Sequence, residues 1–165
     1  MEKSFAVALL VSAFCFSSAL ARNTPADSND TFFVEGKIYC DPCRFEFESR
    51  LSYPLADVKI TLQCTKEESD NVILVKEAKT DANGKYSIPV DGDHEEERCM
   101  VTAEAPTEGK CKSSMTIKSD RILLTTNMGV SSLARYANPL GFMTQTADPQ
   151  CSSVVSELEL DKFDD

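Results

Sequence analysis

The cysteines of this chain constrain its fold more than any other feature of the sequence. The chain holds seven cysteines, an odd number, and Cys15 lies in a segment laid out like a secretory signal peptide. Cleavage after Ala21, where small residues follow the apolar run, would remove Cys15 and leave an even set. The six that remain are Cys40, Cys43, Cys64, Cys99, Cys111 and Cys151. In an oxidising compartment such a set predicts three disulfides and no free thiol, with the pairing left open.

The N-terminal region predicts secretion and a sugar site. The apolar run over residues 5–16 is too short to cross a bilayer, and no later segment is long and apolar enough to span one. We therefore predict a secreted protein with a signal peptide at residues 1–21 and no membrane insertion. The polar leader, residues 22–32, carries an Asn-Asp-Thr sequon at Asn29, which we predict to be glycosylated.

The charge of the chain limits its partners. The formal net charge is −10 at pH 7. Such a protein should repel nucleic-acid phosphates and other anionic polymers, and the sequence shows no basic patch that would favour nucleic acid. Any extended electrostatic partner should therefore be basic.

The periodicity of apolar residues from Phe33 onward predicts an all-β fold. Apolar and polar side chains alternate, as half-buried antiparallel strands require, over residues 34–40, 58–64, 86–90 and 99–103. Further strands are predicted over residues 72–79, 114–118 and 121–124, and the Asn83-Gly84 turn predicts a hairpin between the strands at 72–79 and 85–90.

The predicted architecture is a compact antiparallel β-barrel or sandwich stapled by three disulfides, over residues 33–151. Residues 44–52 are predicted as an irregular connection. The acidic tail, residues 152–165, begins with a segment that fits either one short helix or a final strand.

The Cys40-Asp41-Pro42-Cys43 motif at the end of the first predicted strand has three interpretations. A redox pair needs a helix directly after the motif, and no helical pattern follows. A zinc site needs four ligands, but there is no second Cys-x-x-Cys and His94 is the single histidine. We favour two half-cystines that belong to separate long-range bridges, each stabilising the fold by about 3–5 kcal/mol in the chain-entropy model.

Two further clusters of residues are candidates for function. The acidic run at residues 91–98 suggests calcium, but its spacing is not that of an EF-hand, so we predict a solvated loop with an exposed His94 and no metal. Six aromatic residues lie near the first strand, and we predict that they serve core packing and a covering loop. They are Phe32, Phe33, Tyr39, Phe45, Phe47 and Tyr53.

No catalytic set emerges from the sequence. No serine lies in a Gly-x-Ser-x-Gly elbow, and bridged cysteines cannot act as nucleophiles. Abundant Asp and Glu leave open a hydrolase that acts on wall polysaccharide through paired acids. We predict a protein that is not an enzyme and needs no cofactor.

Four segments together resemble one known family. The stretch Gly-Lys-Ile-Tyr-Cys-Asp-Pro-Cys-Arg at residues 36–44 looks like the signature of the Ole e I family of pollen and plant extracellular proteins. The likeness continues over residues 56–64, residues 80–87, and residues 138–142 followed by Cys151. The resemblance implies a β-barrel or sandwich with the pairs Cys40–Cys111, Cys43–Cys151 and Cys64–Cys99.

The resemblance also implies a function. It suggests a non-enzymatic extracellular glycoprotein that acts in the cell wall or apoplast, in pollen or growing tissue. The implied partner is a receptor-kinase ectodomain or a basic wall glycoprotein. The alternatives are the polysaccharide hydrolase and a calcium-binding wall protein with its site at residues 91–97.

Overall fold

The computed structural model describes residues 30–115 and 117–158. The predicted signal peptide, the leader up to Asn29 and the end of the acidic tail from residue 159 lie outside the described residues. The described part contains strands and one short helix. They are β1 (Thr31–Asp41), β2 (Tyr53–Pro54), β3 (Lys59–Lys66), β4 (Val72–Lys79), β5 (Lys85–Asp91), β6 (Glu97–Ala103), β7 (Cys111–Ser114), β8 (Ala134–Tyr136), β9 (Leu140–Thr144) and α1 (Cys151–Glu157).

The long strand β1 organises the larger of two sheets. Its first part, residues 31–37, pairs with β5 on one side. On the other side, a portion of this same part pairs in parallel with β8. Its last part, residues 38–41, includes the pairing with β2 and the parallel pairing with β9, and β9 in turn pairs with β7. The smaller sheet has the order β4-β3-β6. These two sheets do not close into a barrel within the described residues, so the sandwich alternative is confirmed.

The core lies between the inward faces of the two sheets. Strand β5 alternates exposed and buried residues along its whole length, as a strand with one solvent face must. Its buried Ile88 and Val90 belong to the same core cluster as Val34 of β1 and Leu62 of β3. The period-two pattern of the sequence therefore predicted the core correctly over these strands.

The predicted hairpin at Asn83-Gly84 is wrong, although the tight turn exists. The Gly84 N–H donates to the Asp81 carbonyl at 2.9 Å, and Gly84 has a φ of 69°. The flanking strands, however, belong to different sheets, since β4 pairs with β3 and β5 pairs with β1. The turn thus crosses between the layers of the sandwich, because turn chemistry fixes the local reversal but not the partner strand.

The strands predicted at residues 114–118 and 121–124 are also wrong. Of the described residues in these two ranges, Ser114 alone belongs to a strand, as the last residue of β7. The others make isolated bridges, between Lys118 and Thr102 and between Ile122 and Cys99. Residues 118–122 run beside β6 and follow it too irregularly to form a ladder. The apolar alternation at Ile122 reflects burial against the core rather than regular pairing.

The structure at the edges of the domain agrees in part with the predictions made from the sequence. Strand β1 begins at Thr31, inside the segment predicted as leader, and buries Phe32 completely. Residues 44–52 contain no strand or helix, as predicted. Of the two alternatives for the start of the tail, the helix is confirmed as α1.

Candidate functional site

The six cysteines of the described region form three disulfides. The bridges are Cys40–Cys111, Cys43–Cys151 and Cys64–Cys99, with sequence separations of 71, 108 and 35. This is the same pairing that the family resemblance implies. The Cys-x-x-Cys motif therefore carries no thiol in this structure, and its two cysteines anchor different parts of the chain.

Asp41 shapes the turn that separates the two cysteines. Its side chain is fully buried, and its carboxylate accepts backbone N–H groups from Cys43, Arg44 and Glu46, each at 2.9 Å. Arg44 and Glu46 adopt positive φ values of 61° and 64°, so the chain coils tightly around this carboxylate. Asp41 thus has a structural role as an acceptor for three backbone donors.

Helix α1 is attached to the same region. Cys151, its first residue, bridges to Cys43, and Val154 is buried beneath it. Arg50 donates from Nε to Glu157 and from Nη2 to Ser153, both at 2.7 Å. The irregular connection and the helix therefore form one covalently and electrostatically joined unit at the end of β1.

An acidic cleft lies between the β3–β4 loop and the β5–β6 loop. It has a volume of about 560 Å³ and is lined by Lys66, Glu67, Glu68, Glu95, Glu96 and Glu97. Arg121 ties the two loops together: it forms an ion pair with Glu67 and donates to the backbone carbonyls of Glu95 and Glu97. Glu68 and Glu96 have no hydrogen-bond or ion-pair partner among the described residues. The cleft therefore presents unneutralised carboxylates to solvent.

The acidic run itself is internally bonded. Asp91 accepts from the Thr31 hydroxyl at 2.7 Å, and Asp93 accepts from the Thr125 hydroxyl at 2.8 Å. Asp93 also accepts from the Glu95 N–H at 2.9 Å. Among the residues that the structure describes, no three His, Cys, Asp or Glu side chains converge in a way that could hold a metal.

His94 is not the exposed residue that the sequence suggested. Its side chain is 14% exposed, and its Nδ1 lies 3.5 Å from a Glu97 carboxylate oxygen. Its backbone N–H donates to the Leu124 carbonyl at 2.8 Å, which holds the loop against the segment after residue 122. The contact with Leu124 explains the burial of His94. The sequence of a charge run does not show which segment packs over it, so the prediction of an exposed His94 is wrong.

The aromatic residues near β1 divide into two groups. Phe32 and Tyr39 are buried, as the core-packing prediction requires. Phe33, Phe47 and Tyr53 are exposed, so that prediction is wrong for them. The Phe47 ring stacks on the partly buried Phe45 with 5.4 Å between centroids, which fits the predicted covering loop only in part.

A second concavity, called here the lysine groove, was not predicted from the sequence. It has a volume of about 670 Å³, and its lining includes Gly36, Lys37, Lys79, Lys85, Tyr86 and Tyr136. Lys37 lies opposite Lys85 across the β1–β5 ladder. The groove combines β1, β5, β8 and the end of β4, so no single sequence segment reveals it.

Tyr86 packs on Gly36 in the wall of this groove. A Cβ at position 36 would lie 2.2 Å from the Tyr86 hydroxyl, so only glycine fits beneath the ring. Tyr86 is 5% exposed, and its hydroxyl has no hydrogen-bond partner in the described part of the chain. Burial raises the pKa of Tyr86 far above its ordinary value. Gly36, within a strand of large residues, was the sequence signal for this contact.

The fold and its bridges define the class of protein first. The described residues form a β-sandwich domain with three disulfides, an acidic cleft, a groove lined by lysines and a Cys-x-x-Cys motif that is structural. Within the described residues, no helix is long and apolar enough to cross a membrane.

Comparison with known proteins then gives the family. The family model described as "Pollen protein Ole e 1 like" matches residues 30–159, and the chain belongs to this family. It is 42% identical to an Olee1-like protein of Betula pendula, covering 92% of both chains, and 38% identical to the anther-specific protein LAT52 of Solanum lycopersicum, covering 92% and 94%.

A solved structure supports the same assignment. The major plantain pollen allergen Pla l 1 matches with a TM-score of 0.65 and 28% identity, covering 74% of this chain and all of that one. None of these three names is that of an enzyme.

Proposed function

We propose that this protein is a secreted, non-enzymatic glycoprotein that works in the apoplast or cell wall of pollen or growing tissue. It acts by binding a basic partner, either a wall glycoprotein or a receptor-kinase ectodomain. The acidic cleft is the observation that carries this proposal, because it gathers five glutamates from two loops and the first residue of β6 at one place. The pollen and anther names of the relatives support the setting.

Electrostatic complementarity gives the cleft its proposed role. The carboxylates of Glu68 and Glu96 are free to meet ammonium or guanidinium groups of a partner. Such contacts increase the association rate and select partners by charge, and they weaken as salt screens them. With a net charge of −10, the rest of the surface adds long-range attraction for the same basic partner.

A binding measurement tests the proposal. Immobilised protein is exposed to a purified basic wall glycoprotein, and separately to a receptor-kinase ectodomain, at several salt concentrations. We expect the Glu68→Lys/Glu96→Lys variant to bind about tenfold or more weakly at low salt, because two attractive charges become repulsive.

The matched control changes the net charge equally outside the cleft. Glu108 and Asp120 are exposed, and their carboxylates have no partner among the described residues. The Glu108→Lys/Asp120→Lys variant should therefore keep most of the affinity. Equal weakening in both variants, or no retention of either probe at low salt, overturns the proposal. So would turnover of wall glycans that a single Asp or Glu substitution abolishes.

A further inference from the structure

We propose that His94 and Glu97 form a proton-operated latch in the wall of the acidic cleft. When His94 takes up a proton from solvent, it pairs with Glu97, lowers the negative charge of the cleft by one and fastens the β5–β6 loop. The latch itself is a property of two neighbouring side chains. Its effect on a basic partner rests on the function proposed above, so the experiments test the latch and the binding separately.

The two ring nitrogens of His94 both face oxygen acceptors. Nε2 lies 3.3 Å from the Asp91 carbonyl oxygen, and Nδ1 lies 3.5 Å from a Glu97 carboxylate oxygen. A neutral imidazole has one N–H and one lone pair, so in either tautomer one nitrogen turns its lone pair towards an oxygen. The imidazolium carries a proton on both nitrogens and is therefore the form that suits both neighbours.

Burial makes this arrangement consequential. The Nδ1 atom has no accessible surface and makes no hydrogen bond within the described residues, so water does not satisfy it in place of Glu97. The side chains of His94 and Glu97 are 14% and 18% exposed, which leaves little solvent to screen a charge pair between them. Protonation converts an unfavourable contact into a charge-assisted hydrogen bond.

The other carboxylates around His94 are already engaged or lie in solvent. Three belong to the same loop, and each accepts a hydrogen bond from a side chain outside that loop; they are Asp91, Asp93 and Glu95. Glu96 is exposed. Across the cleft, Glu67 pairs with Arg121, and Glu68 is exposed. Glu97 is therefore the carboxylate to which a proton on Nδ1 is directed.

The cations on the neighbouring elements do not pair with Glu97. Arg98 and Arg121 form ion pairs with other carboxylates. Arg135 donates to backbone carbonyls, two of which flank Leu124. Lys66 lies opposite Glu97 across the β3–β6 ladder but forms no ion pair with it among the described residues. Protonated His94 thus supplies the cation that this mostly buried carboxylate otherwise lacks.

The direction of the pH effect follows from the geometry. Histidine changes its charge between about pH 5 and pH 8. The stability that the latch contributes is present while His94 is protonated and is lost as the pH rises and the proton leaves. The cleft gathers five glutamates and one lysine, so the added positive charge weakens its attraction for a basic partner at the acid end of this range.

Proton NMR tests the latch directly, because His94 is the single histidine and gives one imidazole signal in protein made without a histidine tag. The pH midpoint of this signal is compared in the disulfide-intact parent, Glu97→Gln and Glu108→Gln. We expect the midpoint to fall by about 0.5 or more in Glu97→Gln, because the imidazolium loses its carboxylate partner. Glu108→Gln makes the same chemical change at an exposed position between β6 and β7, and the midpoint should stay within about 0.2 of the parent.

Thermal unfolding measures the same coupling through stability. His94→Gln keeps a polar side chain but takes up no proton. When the pH is raised from about 5.5 to about 7.5, the Tm of the parent should fall by about 2–4 °C relative to that of His94→Gln. Equal midpoints in the parent and Glu97→Gln, an equal fall in Glu108→Gln, or parallel Tm changes in the parent and His94→Gln would overturn the latch.

Binding of an octalysine peptide tests the effect on the cleft. Its affinity for the parent should weaken about threefold more than its affinity for His94→Gln when the pH is lowered from about 7.5 to about 5.5. The same pH dependence in both proteins would overturn the regulation of the cleft by the latch. Absence of octalysine binding at both pH values would refute the proposed function, and any regulation of binding with it, whereas the midpoint comparison would still decide the latch.

Discussion

At the scale of single residues, Asp41 explains how two neighbouring cysteines come to serve different bridges. Its carboxylate holds three backbone N–H groups in a buried turn. Replacing Asp41 by alanine would leave these donors without an acceptor, so we expect a loss of about 2–4 kcal/mol in the free energy of unfolding. Urea unfolding of the oxidised protein measures this.

The exposed Asp120 provides the control for that substitution. Its side chain accepts no hydrogen bond among the described residues, so Asp120→Ala should change stability by less than about 0.5 kcal/mol. If Asp41→Ala is equally neutral, Asp41 does not organise the turn.

Tyr86 gives a second prediction at the scale of single residues: its hydroxyl group is dispensable for stability. Its hydroxyl is buried without a partner, so Tyr86→Phe should leave stability at neutral pH within about 1 kcal/mol of the parent or raise it. Burial raises the pKa of Tyr86 in the folded state, whereas the unfolded chain ionises near about 10.

The stability linked to Tyr86 is therefore complete below about pH 10 and decreases as the pH rises towards the raised folded value. Tyr86→Phe should lose less stability than the parent when urea unfolding is repeated above about pH 10. A parallel loss in both proteins would show that Tyr86 does not ionise on unfolding. Tyr39→Phe should change the pH dependence of stability in the same direction as Tyr86→Phe. Burial is the largest cause that raises the pKa of Tyr39, followed by the charges of Asp41 and Glu48.

At the scale of elements, the bridges differ in what they hold. The Cys64–Cys99 bridge joins directly opposite residues of β3 and β6 in the core. The Cys43–Cys151 bridge instead attaches helix α1 at the edge of the domain. Their removal should therefore have different local consequences, although both close long loops.

We expect Cys43→Ala/Cys151→Ala to release α1 while the sheets stay folded. The chain-entropy model assigns about 4–5 kcal/mol to a loop of this length, which is an upper guide. Amide hydrogen exchange should show lost protection in α1 and retained protection in β1, β3 and β5. Cys64→Ala/Cys99→Ala, by contrast, should lower protection across both sheets. Uniform loss in the first variant would contradict this division.

The elements also show which strands could be predicted from the sequence and which could not. Strand β5 was predicted because one face is solvated and its residues alternate. Strand β9 was missed because all but its last residue are buried, so no alternation exists. The wrong hairpin at Asn83-Gly84 and the missing ladder near Ile122 have one cause: partner choice depends on the whole sandwich.

At the scale of the whole molecule, the acidic cleft and the lysine groove differ in how far the sequence predicted them. The charge run at residues 91–98 pointed to one wall of the acidic cleft, but the other wall comes from the β3–β4 loop. The lysine groove is formed in part by Gly36, Tyr86 and Tyr136, which come from three strands. The local pattern of the sequence does not show that these residues lie together. The six-cysteine framework, by contrast, was visible because covalent chemistry and compartment restrict it.

The central claim is that the protein is a secreted sandwich whose Cys-x-x-Cys motif is a structural anchor. Non-reducing peptide mapping of protein collected from the extracellular medium tests it most directly, with acid cleavage at Asp41–Pro42 to separate the two cysteines. The account predicts an N-terminus at Arg22, a glycan on Asn29 and the linked pairs Cys40–Cys111, Cys43–Cys151 and Cys64–Cys99. A Cys40–Cys43 bridge, or free thiols at these two positions, would contradict it.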